Sequence, residues 1–212
     1  MSATETCPHC EAPLESPLVC TSCHSLLEAS EDPTPFRTLG LSPCWDLDRD
    51  DLKKRLLRFT RLLHPDFFAT AEPEERERAE RGTALVNQAH EVLADDVARA
   101  DWLVNHLAGP SEQDERQMPQ AFLMEVLEWN ETLEEARESA IGSPERAALP
   151  AFAERLRAER AEVLAGLDAK LHPLPASGAE VLRDVRRDLN AVRYLDRALN
   201  ELESLRLEGA AR

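Results

Sequence analysis

Asp48-Arg49-Asp50-Asp51-Leu52-Lys53-Lys54-Arg55-Leu56-Leu57-Arg58-Phe59-Thr60-Arg61-Leu62-Leu63-His64-Pro65-Asp66 reads as one helix and the turn that stops it. Asp48, with Asp51 three residues on, supplies an N-cap signature, since a side-chain oxygen there satisfies amides that have no partner in the first turn. Leu52, Leu56, Phe59 and Leu63 then recur at helical spacing and define a buried stripe. Pro65 lacks an amide hydrogen and clashes with the preceding turn, so the helix ends at His64-Pro65-Asp66. On the face opposite the stripe lie Lys54, Arg58 and Arg61, flanked by Lys53 and Arg55. This one-sign basic face stands in a chain of net charge −16, with 25 basic and 41 acidic residues. Charge runs are usually solvated faces, but one that opposes its own chain predicts an acidic partner reached with electrostatic steering.

Outward from this helix the pattern stays helical. Pro73 opens a second helix in its first turn, with Gly82, Val86, Ala89 and Leu93 on one face, and the two helices form a hairpin across residues 65–72. A shorter helix with Ala100, Leu103, Val104 and Leu107 turned inward ends before Gly109-Pro110. Three more are expected over 119–139, 144–171 and 179–207, with Pro150 disturbing the start of the second, as an antiparallel three-helix bundle. The composition agrees: Ala, Leu, Glu and Arg are abundant, and there are only 7 Gly and 1 Tyr. Breaks at Ser30-Glu31-Asp32-Pro33-Thr34-Pro35 and Gly109-Pro110-Ser111 divide the all-α chain into 1–30, 31–110 and 111–212.

The first 30 residues carry a different chemistry. Cys7-x2-Cys10-x9-Cys20-x2-Cys23 offers four thiolates at a spacing that closes a tetrahedral structural site in a small zinc-ribbon-like module. Zn²⁺ is the simplest occupant, although an S₄ donor set also suits iron. His9 and His24 are adjacent alternatives, but four cysteines already fill the coordination. A redox use is disfavoured because no βαβ pattern surrounds either pair, and Cys44 stands alone without an assigned role. The N-terminus has no basic segment followed by an apolar run, and no later stretch is apolar over a bilayer's thickness, so a cytoplasmic protein without a membrane partner is expected.

The helix from Pro119 has two apolar faces. Phe122, Val126, Trp129 and Leu133 suit a bundle core; Leu123, Met124 and Leu127 fall off that stripe, beside Glu128, Glu131 and Glu135. An apolar patch rimmed by carboxylates has the composition of a docking surface, and packing against the central domain is the alternative reading. His64 and Asp66 could suggest acid–base catalysis, but no nucleophile or glycine-rich phosphate loop accompanies them, so the chain is not expected to be an enzyme.

Several segments carry a resemblance to a known family. Phe36-Arg37-Thr38-Leu39-Gly40-Leu41, the basic helix, Leu63-His64-Pro65-Asp66-Phe67-Phe68 and Val86-Asn87-Gln88-Ala89-His90-Glu91-Val92-Leu93 resemble a J domain in order and spacing. Arg99-Ala100-Asp101-Trp102-Leu103, Phe122-Leu123-Met124-Glu125 and Val192-Arg193-Tyr194-Leu195-Asp196 narrow it to the HscB co-chaperones of iron–sulfur assembly, and the resemblance spans about 34–207. The tetracysteine module is similar to one found in some eukaryotic members. The resemblance implies that His64, Pro65 and Asp66 stimulate a DnaK/HscA-class ATPase chaperone, with Lys54, Arg58 and Arg61 positioning it. It also implies that Leu123, Met124, Leu127, Glu128, Glu131, Glu135 and Tyr194 bind an IscU-type iron–sulfur scaffold protein. Two departures stand out: Phe67 replaces a frequent Lys or Arg, and Asp95-Asp96 replaces a common Asp-Pro. A competing class, a zinc-ribbon nucleic-acid-binding adaptor, is disfavoured by the acidic balance and the few aromatics outside core stripes.

Overall fold

The computed structural model describes residues 5–28 and 33–210; the first half of the proposed break at 30–35 therefore lies outside the described residues, as do residues 1–4 at the N-terminus. The chain divides into two compact units, Met1–Arg99 and Ala100–Arg212. Among the described residues there is no strand, and no helix is long and apolar enough to cross a membrane.

In the first unit, α1 (Pro35–Thr38) and α2 (Arg49–Leu62) pack on α3 (Pro73–Ala94), and a 3₁₀ turn at Pro65–Phe68 joins α2 to α3. The α2 start is held as its sequence dictates, with the Asp48 carboxylate accepting from the amides of Asp50 and Asp51 at 2.8 and 3.1 Å. Leu52, Phe59 and Leu63 are buried and Leu56 is half-buried. Gly82 lets the helices close up at the hairpin tip, where a Cβ would sit 3.0 Å from the Leu63 side chain. The start of α4 (Asp96–His106) is capped by Asp95, whose carboxylate accepts from the Ala98 amide at 2.7 Å, so the Asp95-Asp96 departure leaves a working helix start.

The second unit is built on α5 (Gln120–Glu138), α6 (Pro144–Leu171) and α7 (Val181–Ala210). Its core joins Phe122, Val126, Trp129 and Leu133 of α5 to Leu149, Phe152 and Leu156 of α6 and Leu195, Leu202 and Leu205 of α7. One expectation needs correction. Pro150 does not disturb the helix start: α6 runs unbroken from Pro144. An interior proline costs about 3 kcal/mol, and several anchors offset it. Ser143 caps the helix, Leu149 and Phe152 are buried on either side, and the Arg146 guanidinium donates to the carbonyls of Ala136 and Ser139 at 3.0 and 3.1 Å. On α7 the inward stripe runs through Leu182, Val185, Leu189, Val192 and Leu195, all buried.

Candidate interaction and metal sites

Each Cys-x-x-Cys pair forms a tight turn. The Glu11 and His24 amides donate to the carbonyls of Cys7 and Cys20 at 2.9 Å each, and Glu11 and His24 take left-handed backbone angles of +59° and +62°. Amides of His9 and Ser22 point at the sulfurs of Cys7 and Cys20, 3.4 Å away in both cases. One isolated antiparallel bridge closes each turn, Thr6 with Pro13 and Val19 with Leu26. The four Sγ atoms consequently lie within 4.8 Å of one another, with Cys7–Cys23 and Cys10–Cys20 both at 3.6 Å. Tetrahedral Zn–S bonds of about 2.3 Å place sulfurs roughly 3.8 Å apart, whereas a disulfide needs about 2.05 Å. The geometry therefore fits a metal, and the group contains neither His9 nor His24.

Electrostatics point the same way. The Ser25 hydroxyl and amide stabilise a thiolate at Cys23 and hold it down to about 6. At Cys10 the Ala12 amide acts downward, but burial and hydrogen bonds with the other three cysteines push the thiol up to about 12. Four neighbouring thiolates need a shared cation, which is what a divalent ion supplies. Cys44 lies outside the cluster, and burial pushes its thiol up.

The module also sits on the helical hairpin. The Ser16 hydroxyl donates to the Thr38 carbonyl at 2.8 Å, and a Cβ on Gly40, whose φ is +68°, would come within 2.8 Å of the Glu15 carbonyl oxygen. Glu15 receives both guanidinium nitrogens of Arg58, at 2.7 and 3.1 Å. The basic face is thus exposed at Lys54, Arg58 and Arg61 as expected, but Arg58 already has an acidic partner within its own unit. At the hairpin tip the His64 Nδ1 accepts from the Asp66 amide at 3.3 Å and caps the 3₁₀ turn. The Asp66 side chain is 88% exposed, and Phe67 stands out beside the His64 ring.

On α5 the two apolar faces separate as read. Leu123, Met124 and Leu127 are exposed, with Met124 at 68%, while Phe122 and Trp129 are buried. Glu128, Glu131 and Glu135 are exposed beside them. Glu125 of the same helix faces Glu159 of α6; burial and the hydrogen bond with Glu125 push the Glu159 carboxyl up to about 7. Tyr194 is less of a surface residue than its position off the α7 stripe suggests. Its ring meets Phe122 and Trp129 edge-on and tilted at 6.2 and 6.4 Å, and its hydroxyl donates to Asn130 at 2.8 Å. It links core and surface rather than belonging to the patch alone.

Residues 118–203 match the family described as the HSCB C-terminal oligomerisation domain. A co-chaperone protein HscB homolog of Bordetella petrii is 35% identical over 148 residues, covering 69% of this chain and 85% of that protein. The chain belongs to the HscB co-chaperone family. A Vibrio vulnificus homolog is 32% identical over 170 residues, 79% of this chain and 94% of its own. Chaperone HscB from Vibrio cholerae superposes with a TM-score of 0.64 at 27% identity, over 83% of this chain and 99% of that one. Human co-chaperone protein HscB shares the fold at a TM-score of 0.71 and 23% identity, over 96% and 98% of the two chains. The helical hairpin with its His-Pro-Asp turn is therefore a J domain, followed by the C-terminal helical domain of the family.

Structural roles appear for family segments that the sequence marked only by likeness. Arg99 is buried: its guanidinium donates to the carbonyls of Trp45 and Leu93 at 3.1 and 2.5 Å and lies over the Trp45 ring. Asp101 receives Arg186, which is 1% exposed, and Arg193 at 3.1 Å. Nothing in helical periodicity marks Arg186 as buried; the signal would have been an Asp and an Arg without local i,i+4 partners.

Proposed function

We propose that the chain is a non-enzymatic adaptor that stimulates a DnaK/HscA-class ATPase chaperone and delivers an IscU-type iron–sulfur scaffold protein to it in the cytoplasm. His64, Pro65 and Asp66 at the exposed tip would act on the ATPase, with Lys54, Arg58 and Arg61 steering an acidic surface onto α2. Leu123, Met124 and Leu127, rimmed by Glu128, Glu131 and Glu135 and backed by Tyr194, would receive the scaffold protein. The observation that carries this reading is the exposed apolar triplet on a helix whose other large apolar residues, Phe122, Val126, Trp129 and Leu133, are committed to a core. Side chains of that size are rarely left in water together unless a partner covers them. One chain holding both partners raises the effective concentration of each near the other, which is how an adaptor without chemistry of its own couples them. In the tetracysteine module Cys7, Cys10, Cys20 and Cys23 would hold one structural Zn²⁺, which cross-links the two turns.

The test is steady-state ATP hydrolysis by a purified DnaK-class chaperone. The chain alone should accelerate it, and adding the scaffold protein should accelerate it further. Equal rates with and without the chain would refute the proposal.

A further inference from the structure

The second unit carries a cavity of about 230 Å³ lined by Arg116, Met118, Asn190, Arg193, Tyr194 and Arg197 among others. In a chain of net charge −16, three arginines at one small concavity are unexpected. Arg193 is neutralised locally by Asp101 at 3.1 Å and Glu112 at 2.5 Å. Arg116 and Arg197 are exposed and have no ion-pair partner among the described residues.

The cavity is also held in shape. The Asn190 amide nitrogen donates to the carbonyls of Glu115 and Gln117, 2.9 Å each, and so pins to α7 the two residues that flank Arg116. The Glu115 carboxylate meets Arg187 at 3.2 Å and Arg183 at 3.8 Å. Arg116 is therefore presented from a fastened loop, which lowers the ordering cost of binding.

We infer that Arg116 and Arg197 form a carboxylate-binding subsite for an aspartate or glutamate side chain of the scaffold protein docked on Leu123, Met124 and Leu127. This rests on the docking role proposed above for those residues. Guanidinium groups recognise carboxylates through paired, charge-assisted hydrogen bonds, and a volume of this size admits a side chain but not a folded element. Continuity ties the cavity to the apolar patch. Tyr194 lines the cavity and bonds to Asn130, which lies one helical turn beyond Leu127 on α5. Met118, at the cavity, lies two residues before α5. With Glu128, Glu131 and Glu135 on α5 itself, the surface offers two guanidinium groups in one place and carboxylates in another, a polarity that admits a partner in one orientation only.

The experiment measures affinity of the full chain for a purified iron–sulfur scaffold protein by calorimetry at low and high salt. The Arg116→Glu/Arg197→Glu variant should bind at least about tenfold more weakly at low salt, and the neutral Arg116→Gln/Arg197→Gln variant should show a smaller loss. The deficit should shrink at high salt, while stimulation of the ATPase by the chain alone stays at the parent level. If charge reversal lowers the melting temperature, the neutral variant decides. Parent affinity in both variants, alongside lost binding in a Leu123/Met124/Leu127 triple-Ala chain, would overturn the subsite and leave the docking reading standing. Parent affinity in the triple-Ala chain would instead overturn the docking reading on which the subsite rests. A fall in basal ATPase stimulation would assign the cavity to the other partner and also overturn the inference.

Discussion

The tetracysteine module and the C-terminal bundle reach order by opposite routes. The bundle buries fourteen residues in one cluster, whereas the module's own buried cluster is Cys7, Cys20 and Leu27 with Leu14 beside it. Two of those three belong to the tetracysteine group, and although Leu18, Val19 and Leu26 are buried as well, the module's apolar interior is small beside that of the bundle. Burial at about 25 cal/mol per Å² can stabilise a helical bundle but not so small a module, for which ligand bonds must provide most of the free energy. A perturbation aimed at one region should consequently leave the other alone.

Metal removal should give the largest effect. Structural zinc sites contribute about 10–16 kcal/mol in small peptides, so chelation should make Cys7, Cys10, Cys20 and Cys23 all reactive to a thiol reagent. The helical circular-dichroism signal should change little; its collapse would show that the two regions are not independent. The module should contain one metal ion per chain, checked by metal analysis of protein purified without chelator.

Next comes the bundle core. Trp129→Ala should cost about 3–5 kcal/mol, read from denaturant unfolding, without changing metal content. The triple-Ala change at Leu123, Met124 and Leu127 serves as its opposite on the same helix: each exposed position should cost about 0.5 kcal/mol or less, while scaffold affinity falls. A large stability loss in the triple variant would assign those residues to packing.

The smallest effect concerns pH. The Glu159 carboxyl is raised from an ordinary 4.5 to about 7, so its contribution is present when it is protonated and is lost as pH rises through about 7. Glu159→Gln should therefore melt above the parent on the alkaline side of that value and match it in acid. The same melting temperature at both ends would contradict the burial of this carboxyl against Glu125.

The helices and their faces were legible in the sequence because they rest on local rules. Asp48 and Pro65 mark the ends of α2, and the periodicity that separates Phe122 and Trp129 from Leu123 and Leu127 needs no tertiary information. The cysteine spacing likewise displays its ligands. What stayed hidden depends on partners far apart in the chain. Arg58 reads as a free basic residue until Glu15, 43 residues away, is seen against it. Arg186 reads as a surface charge until Asp101 and the Pro110 carbonyl enclose it. Tyr194 reads as exposed until its ring is found against Phe122. Pro150 misled for a related reason: a local rule gave way to the packing of Leu149, Phe152 and Arg146 around it.

The most direct test of the adaptor account separates its two ends in one assay. Asp66 is 88% exposed and carries none of the core, so Asp66→Asn should leave the melting temperature and scaffold affinity at parent values. The same variant should fail to accelerate ATP hydrolysis by a DnaK-class chaperone, with or without scaffold protein present. Retained scaffold binding with lost stimulation is the expected result; stimulation equal to the parent at matched concentration would contradict the assignment of the His64-Pro65-Asp66 tip.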